Sequence, residues 1–152
     1  MTNHDQYHFL DQDIKDMSWG NVDSDWTPPQ SLPDLSQYET VAIDLETKDS
    51  NLLTLGPGWT RKDGYVIGIA VAAGDSSWYF PIAHQSGNMS KNIVFKWLQK
   101  LCDDEKITKV FHNALYDLGW FRAEGIEVKG KIIDTMIAAP LLDENRKWYN
   151  LN

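Results

Sequence analysis

The stretch Thr40-Val41-Ala42-Ile43-Asp44-Leu45-Glu46-Thr47 decides the fold class and indicates where chemistry would occur. It opens as an apolar run and closes on two carboxylates one residue apart. Such a run predicts a strand, in which side chains alternate between faces and residues i and i+2 share one. Asp44 and Glu46 then point one way, and Ile43 and Leu45 the other. Two like charges side by side are costly to bury unless a cation neutralises them. An oxygen-only donor set on a rigid strand suits Mg²⁺ or Mn²⁺ rather than zinc. The stretch therefore reads as half of a carboxylate metal site. The plainer alternative is a strand that ends at a solvated acidic turn.

Outward from this strand, residues 48–63 are loop-like, with Gly56-Pro57-Gly58 marking a sharp turn. Residues 65–72, bounded by Gly64 and Gly74, predict a second strand, and residues 77–82 a third. Gly74-Asp75 between them suits a hairpin turn. Ser90 is placed to cap a helix running to about Leu101, with Ile93, Val94, Trp97, Leu98 and Leu101 on one face. Residues 109–112 predict a short buried strand, and a second helix runs from about Ala114 to a C-terminal cap near Gly125. A further short strand covers 131–133, and Asp134 or Thr135 caps a third helix. Pro140, about two turns in, should kink or end it. The order βββαβαβα predicts an α/β architecture, a mixed β-sheet flanked by helices.

Composition agrees with one domain. The chain has 152 residues, 42% of them hydrophobic, enough for a real core. No apolar run approaches the ~20 residues that a membrane helix needs. The N-terminus has neither the basic start nor the apolar centre of a signal peptide. One cysteine, Cys102, excludes an internal disulfide and a multi-cysteine zinc site. A cytoplasmic protein with no membrane partner is the simplest reading. The net charge of −8 is unevenly spread: residues 1–40 hold eight acidic side chains and one basic one, while 41–152 are nearly balanced. Residues 1–36, Asp-rich and punctuated by Pro28, Pro29 and Pro33, read as an acidic linker or N-terminal arm. Tyr7, Phe9, Leu10, Trp19 and Trp26 are more apolar bulk than a spacer needs, which suggests a short docking helix over 6–17. Residues 37–152 form the domain proper. It has no strong basic patch, so nucleic-acid binding would be modest and metal-assisted.

A second acidic element is Phe111-His112-Asn113-Ala114-Leu115-Tyr116-Asp117-Leu118, which crosses from strand to helix. Asn113 and Asp117 are four apart and share a helix face. Singly, each has a bland explanation: Asn113 as a helix cap, Asp117 as a complement to the helix dipole. His112 and His84 read as strand-end residues, His84 as structural or substrate-facing. Together with the first stretch the segment says more. Sites in open α/β sheets gather at strand ends and adjoining helix starts, which brings Asp44, Glu46 and Asp117 within reach of one or two metals.

With both elements in place, the chain resembles the 3′–5′ exonuclease (proofreading) domain of family A DNA polymerases, in the DnaQ-like, ribonuclease H-like superfamily. Residues 41–47 are similar to the first exonuclease motif, Asp-x-Glu, and residues 112–117 to the second, Asn-x-x-x-Asp. Tyr79-Phe80-Pro81-Ile82-Ala83-His84, Gly125-Ile126-Glu127-Val128 and 133–139 are similar to flanking segments of that family. The resemblance covers about residues 38–152. It implies a ribonuclease H-like fold and a metal-dependent 3′–5′ exonuclease acting on single-stranded DNA 3′ ends. It further implies that Asp44 bridges two Mg²⁺ or Mn²⁺ ions, that Glu46 ligates one and orients water, and that Asp117 holds the second. Thr47, Leu45 and Asn113 would lie on the substrate side of the site. Two ions ~4 Å apart would stabilise the attacking and leaving oxygens of an in-line displacement.

The departure is equally specific. The family carries a third motif, Tyr-x-x-x-Asp or His-x-x-x-x-Asp, on a later helix, and no such motif follows Asp117. On the resemblance, the domain is expected to be C-terminally incomplete and the isolated chain weak or inactive. A polymerase domain or a separate chain would then supply the missing element, with Trp19 and Trp26 of the arm as docking groups. Two alternatives stay open: a ribonuclease D-like 3′–5′ exoribonuclease, which shares the first two motifs, and a non-catalytic binding piece of a split polymerase.

Overall fold

The computed structural model describes residues 26–145 and Tyr149. The helix expected over 6–17, Trp19 and the closing residues other than Tyr149 lie outside them. In chain order the elements are β1 (Thr40–Lys48), α1 (Leu52–Leu55), α2 (Gly58–Arg61), β2 (Tyr65–Ala73), β3 (Ser76–Pro81), α3 (Lys91–Asp103), β4 (Thr108–Phe111), α4 (Ala114–Ala123), β5 (Ile132–Asp134) and α5 (Thr135–Leu142). The strands form one mixed sheet in the order β3-β2-β1-β4-β5. β1 pairs antiparallel with β2 and β2 with β3, while β1–β4 and β4–β5 are parallel. The α/β class and the mixed sheet expected from the sequence are what the chain forms.

Alternation places the core. Val41, Ile43 and Leu45 of β1 are buried, whereas Ala42, Asp44 and Glu46 face the other, open side. Val66, Ile69 and Val71 of β2 and Phe80 of β3 continue the apolar layer. Two helices close it: α3 contributes Val94, Leu98, Leu101 and Cys102, and α4 contributes Trp120 and Phe121. Burial in this layer pushes the Cys102 thiol up to about 12, so it is packed and unreactive. Ile93, expected on the core face of α3, is instead 60% exposed. The buried stripe centres on Val94 and Leu98, and the residue before Val94 is turned about 100° away. Lys91 pairs with Glu124 at 2.8 Å and ties the start of α3 to the end of α4.

Three differences from the sequence reading bear on the site. β1 does not end on its acidic pair; its antiparallel ladder with β2 carries it to Lys48, so the pair lies within the strand. A bulge falls between Glu46 and Thr47: Glu46 opposes Gly68, Thr47 opposes Val66, and Ile67 is passed over. Residues 48–63 hold two single-turn helices, α1 and α2, rather than plain loop. Pro140 lies inside α5, which ends two residues later at Leu142. At the other end, Leu35 is buried in the core and Trp97 Nε1 donates to the Pro33 carbonyl at 2.8 Å. The last residues of the stretch read as an arm therefore pack with the domain.

Candidate active site

The site exists because β4 is shorter than β1. Parallel pairing with β4 reaches only Ala42, after which the β4 chain turns at Asn113 into α4. The freed edge of β1 needs other acceptors. Asp117, in the first turn of α4, supplies one: its Oδ1 accepts from the Leu45 N–H at 3.1 Å. Asp117 thus sits against the backbone between Asp44 and Glu46. Its side chain is almost fully buried, at 3% exposure. Leu45 enters this site through its main chain alone. Its side chain belongs to the opposite, core face, so a substrate contact from the Leu45 side chain is not what the fold provides.

The electrostatics favour a cation. Burial pushes the Asp117 carboxyl up to about 7; the Leu45 N–H opposes this, and the Asp44 charge adds to it. Burial also raises Asp44, partly countered by His112. Among the described residues no ion pair reaches Asp44, Glu46 or Asp117. The uncompensated oxygens fit a hard divalent ion. They are not gathered into one cage: among the described residues, no three His, Cys, Asp or Glu side chains converge to hold a metal. Asp44 and Asp117 are the electrostatically coupled pair, and Glu46 lies one step along β1 on the side of Asp44. Across the sheet from Glu46, the Tyr79 hydroxyl stands over Gly68, where a Cβ would lie 1.8 Å from its oxygen. Tyr79 also bonds His84 Nε2.

The neighbouring groups that the sequence singled out take partners it did not suggest. Asn113 has a left-handed backbone (φ 67°) and its side chain caps nothing. The cap of α4 comes from Asp134, whose carboxylate accepts from Asn113 N at 3.0 Å and Ala114 N at 2.8 Å. The same carboxylate accepts from Met136 N at 2.9 Å and caps its own helix, α5. Burial pushes Asp134 up, but these backbone donors outweigh it and hold its pKa low. Replacing Asp134 with alanine strands donors at two helix starts and should cost about 2 kcal/mol. Denaturant unfolding checks this, and a loss under about 0.5 kcal/mol would show the double cap to be immaterial. His112 is fixed too. The Thr135 hydroxyl donates to the Phe111 carbonyl at 3.0 Å, so it accepts from His112 Nδ1 at 2.9 Å. In its neutral form His112 therefore carries its proton on Nδ1, and its buried Nε2 has no hydrogen-bond partner among the described residues.

A five-stranded mixed sheet that carries Asp-x-Glu on its central strand and a buried Asp at the adjoining helix start defines a class, the carboxylate-bearing exonuclease folds. The chain belongs to the family of 3′–5′ exonuclease domains, which matches residues 22–152. A DNA-directed DNA polymerase of Pseudomonas phage M6 is 35% identical over 137 residues, 86% of this chain. The chain spans about a fifth (21%) of that relative's length. Among solved structures, Brucella melitensis NrnC with bound Mg²⁺ is similar with a TM-score of 0.56 at 26% identity, over 79% of this chain and 54% of that one. Escherichia coli RNase D shares the fold at 20% identity and a TM-score of 0.52, over 73% of this chain and 25% of its own.

Proposed function

We propose that this chain is the proofreading type of 3′–5′ exonuclease domain, removing nucleotides from the 3′ end of single-stranded DNA beside a polymerase in the cytoplasm. One observation carries the reading. Asp117 is buried against the backbone between Asp44 and Glu46, and among the described residues no cation is paired to any of the three. Asp44, Glu46 and Asp117 would hold Mg²⁺ or Mn²⁺. When bound, such an ion lowers the pKa of water and offsets charge at the phosphate. The chain's own groups do the rest: the Leu45 N–H fixes Asp117, Asp44 faces the open side of the sheet, and Thr47 and Asn113 border the terminal nucleotide. The family and the phage polymerase relative support DNA and a polymerase partner. Among the described residues no helix is long and apolar enough to cross a membrane.

A direct test uses matched 5′-labelled DNA and RNA oligonucleotides with Mg²⁺ or Mn²⁺, and with chelator. The expected result is a one-nucleotide ladder growing from the 3′ end of the DNA and abolished by chelator. The rate should be low, at least about 10³-fold below that of a fully assembled carboxylate site, because among the described residues no three carboxylates converge on one point. Shortening of RNA alone would favour the ribonuclease D-like reading, and binding without shortening a non-catalytic one.

A further inference from the structure

We propose that Asp49 is a positioning residue which, through the Tyr116 hydroxyl, holds the Glu46–Thr47 end of β1 against Asp117. The proposal rests on the metal reading of the site above. Asp49 follows β1 and its side chain is 3% exposed. Its Oδ2 accepts from the Gly58 N–H at 2.7 Å and from the Tyr116 hydroxyl at 3.1 Å, and its Oδ1 faces the Arg61 guanidinium at 3.5 Å. The Tyr116 oxygen lies 2.8 Å from Thr47 Oγ1. Counting protons fixes the direction of this chain. An ionised carboxylate only accepts, so the single Tyr116 proton goes to Asp49, and the Tyr116 oxygen accepts from Thr47. The relay runs one way, from Thr47 to Tyr116 to Asp49. It joins the residue after Glu46 to the residue before Asp117.

The relay crosses the place where strand pairing is weakest. β4 no longer pairs with β1 there, and the bulge interrupts the ladder with β2 between Glu46 and Thr47. The aim of the Glu46 side chain is therefore set by something other than the sheet. Behind Asp49 the support is rigid. Arg61 Nη1 donates to the carbonyls of Leu55, Gly56 and Pro57, which closes the 49–63 segment on itself. Trp59 lies against Gly119 of α4, where any Cβ would come within 2.2 Å of the indole. The segment thus seats on the helix that carries Asp117, and Asp49 transmits that seat to β1. A buried charge is costly unless it is paired and hydrogen-bonded; Gly58 and Tyr116 hydrogen-bond Oδ2 and Arg61 pairs with Oδ1, which accepts no hydrogen bond among the described residues.

Two conservative variants probe the relay. Tyr116→Phe removes the hydroxyl and keeps the ring on Trp120, 6.4 Å away. Asp49→Asn keeps a carbonyl oxygen on the Gly58 N–H and the Tyr116 hydroxyl but turns an N–H toward the Arg61 guanidinium, which removes the charge that anchors the relay. Asn51→Ala is the control, since it removes the Asn51–Asp63 bond within the same segment and leaves Asp49 untouched. Each protein is titrated with Mn²⁺ by electron paramagnetic resonance, and amide exchange is followed at residues 45–48. Tyr116→Phe and Asp49→Asn should each weaken Mn²⁺ uptake about tenfold and speed exchange at 45–48 about tenfold. The double variant should be no worse than the weaker single one, and the control should change neither readout. Unchanged Mn²⁺ affinity in both variants, with only the melting temperature lowered, would make Asp49 a structural anchor and overturn the proposal. A wild-type chain that takes up no Mn²⁺ sinks the metal reading instead, and exchange at 45–48 then decides whether Asp49 holds the strand.

Discussion

Asp44→Ala is expected to weaken Mn²⁺ uptake by at least about 10²-fold, about 2.7 kcal/mol, and to bring hydrolysis of a single-stranded 3′ end down to background. The effect should be local. Asp44 lies on the open face of a central strand, in register with Ala70, so an alanine there meets a small neighbour and no cavity is left in the core. What is lost is charge. Asp44 is the carboxylate whose charge most raises Asp117, ahead of Asp134. Glu46 and the buried Asp117, the latter already drawn toward its protonated form, hold a divalent ion poorly because the ion must displace that proton. Circular dichroism and denaturant unfolding serve as the folding control. Mn²⁺ affinity that survives in a folded Asp44→Ala chain would place the ion elsewhere and end the two-motif account of the site.

How far the site could be read from the sequence depends on the range of each interaction. Alternation in β1 is a local property, so the facing of Asp44 and Glu46 away from Ile43 and Leu45 was legible. The shared helix face read for Asn113 and Asp117 does not form, because Asn113 takes a left-handed backbone just before α4; the strand-to-helix crossing there was legible. The bulge was not, because it arises from Ile67 on the partner strand and has no mark in β1 itself. That Asp117 would accept from Leu45 was hidden too: it requires β4 to end before β1 does, a matter of relative strand length. Asp134 shows its cap of α5 in sequence, but its reach to α4 follows from the parallel register that sets it opposite Phe111. Asp49 had no signal at all. Its partner Tyr116 is 67 residues away, and an Asp after a strand is an ordinary turn residue.

The stability of the metal-free protein should fall as pH rises from about 4 to about 7, and Asp117→Asn should remove that component. Asp117 titrates near its ordinary value of 3.8 when the chain is unfolded and at about 7 when folded. Between those values the folded state holds a proton that the unfolded state has released, so stability declines with rising pH. Its contribution is whole below about 4 and gone above about 7, and a shift of this size amounts to roughly 4 kcal/mol. Asp44, raised by burial, acts in the same sense, whereas Asp34, Asp63, Asp103 and Asp134, whose carboxyls are held low, act in the opposite one, losing stability as pH falls. They are common to both proteins and cancel in the difference. The asparagine can still accept from the Leu45 N–H, and it carries no charge to bury. Unfolding in denaturant with chelator present should therefore show the two proteins alike near pH 4. Asp117→Asn should be the more stable by roughly 3–4 kcal/mol at pH 8. Adding Mn²⁺ at pH 8 should reverse the order, since the ion binds the folded wild-type carboxylate and stabilises it by mass action, and the variant gains little. A difference between the proteins that stays flat from pH 4 to pH 8 would mean that Asp117 is ionised in the metal-free fold. The uncompensated carboxylate that supports the metal reading would then have to be sought elsewhere.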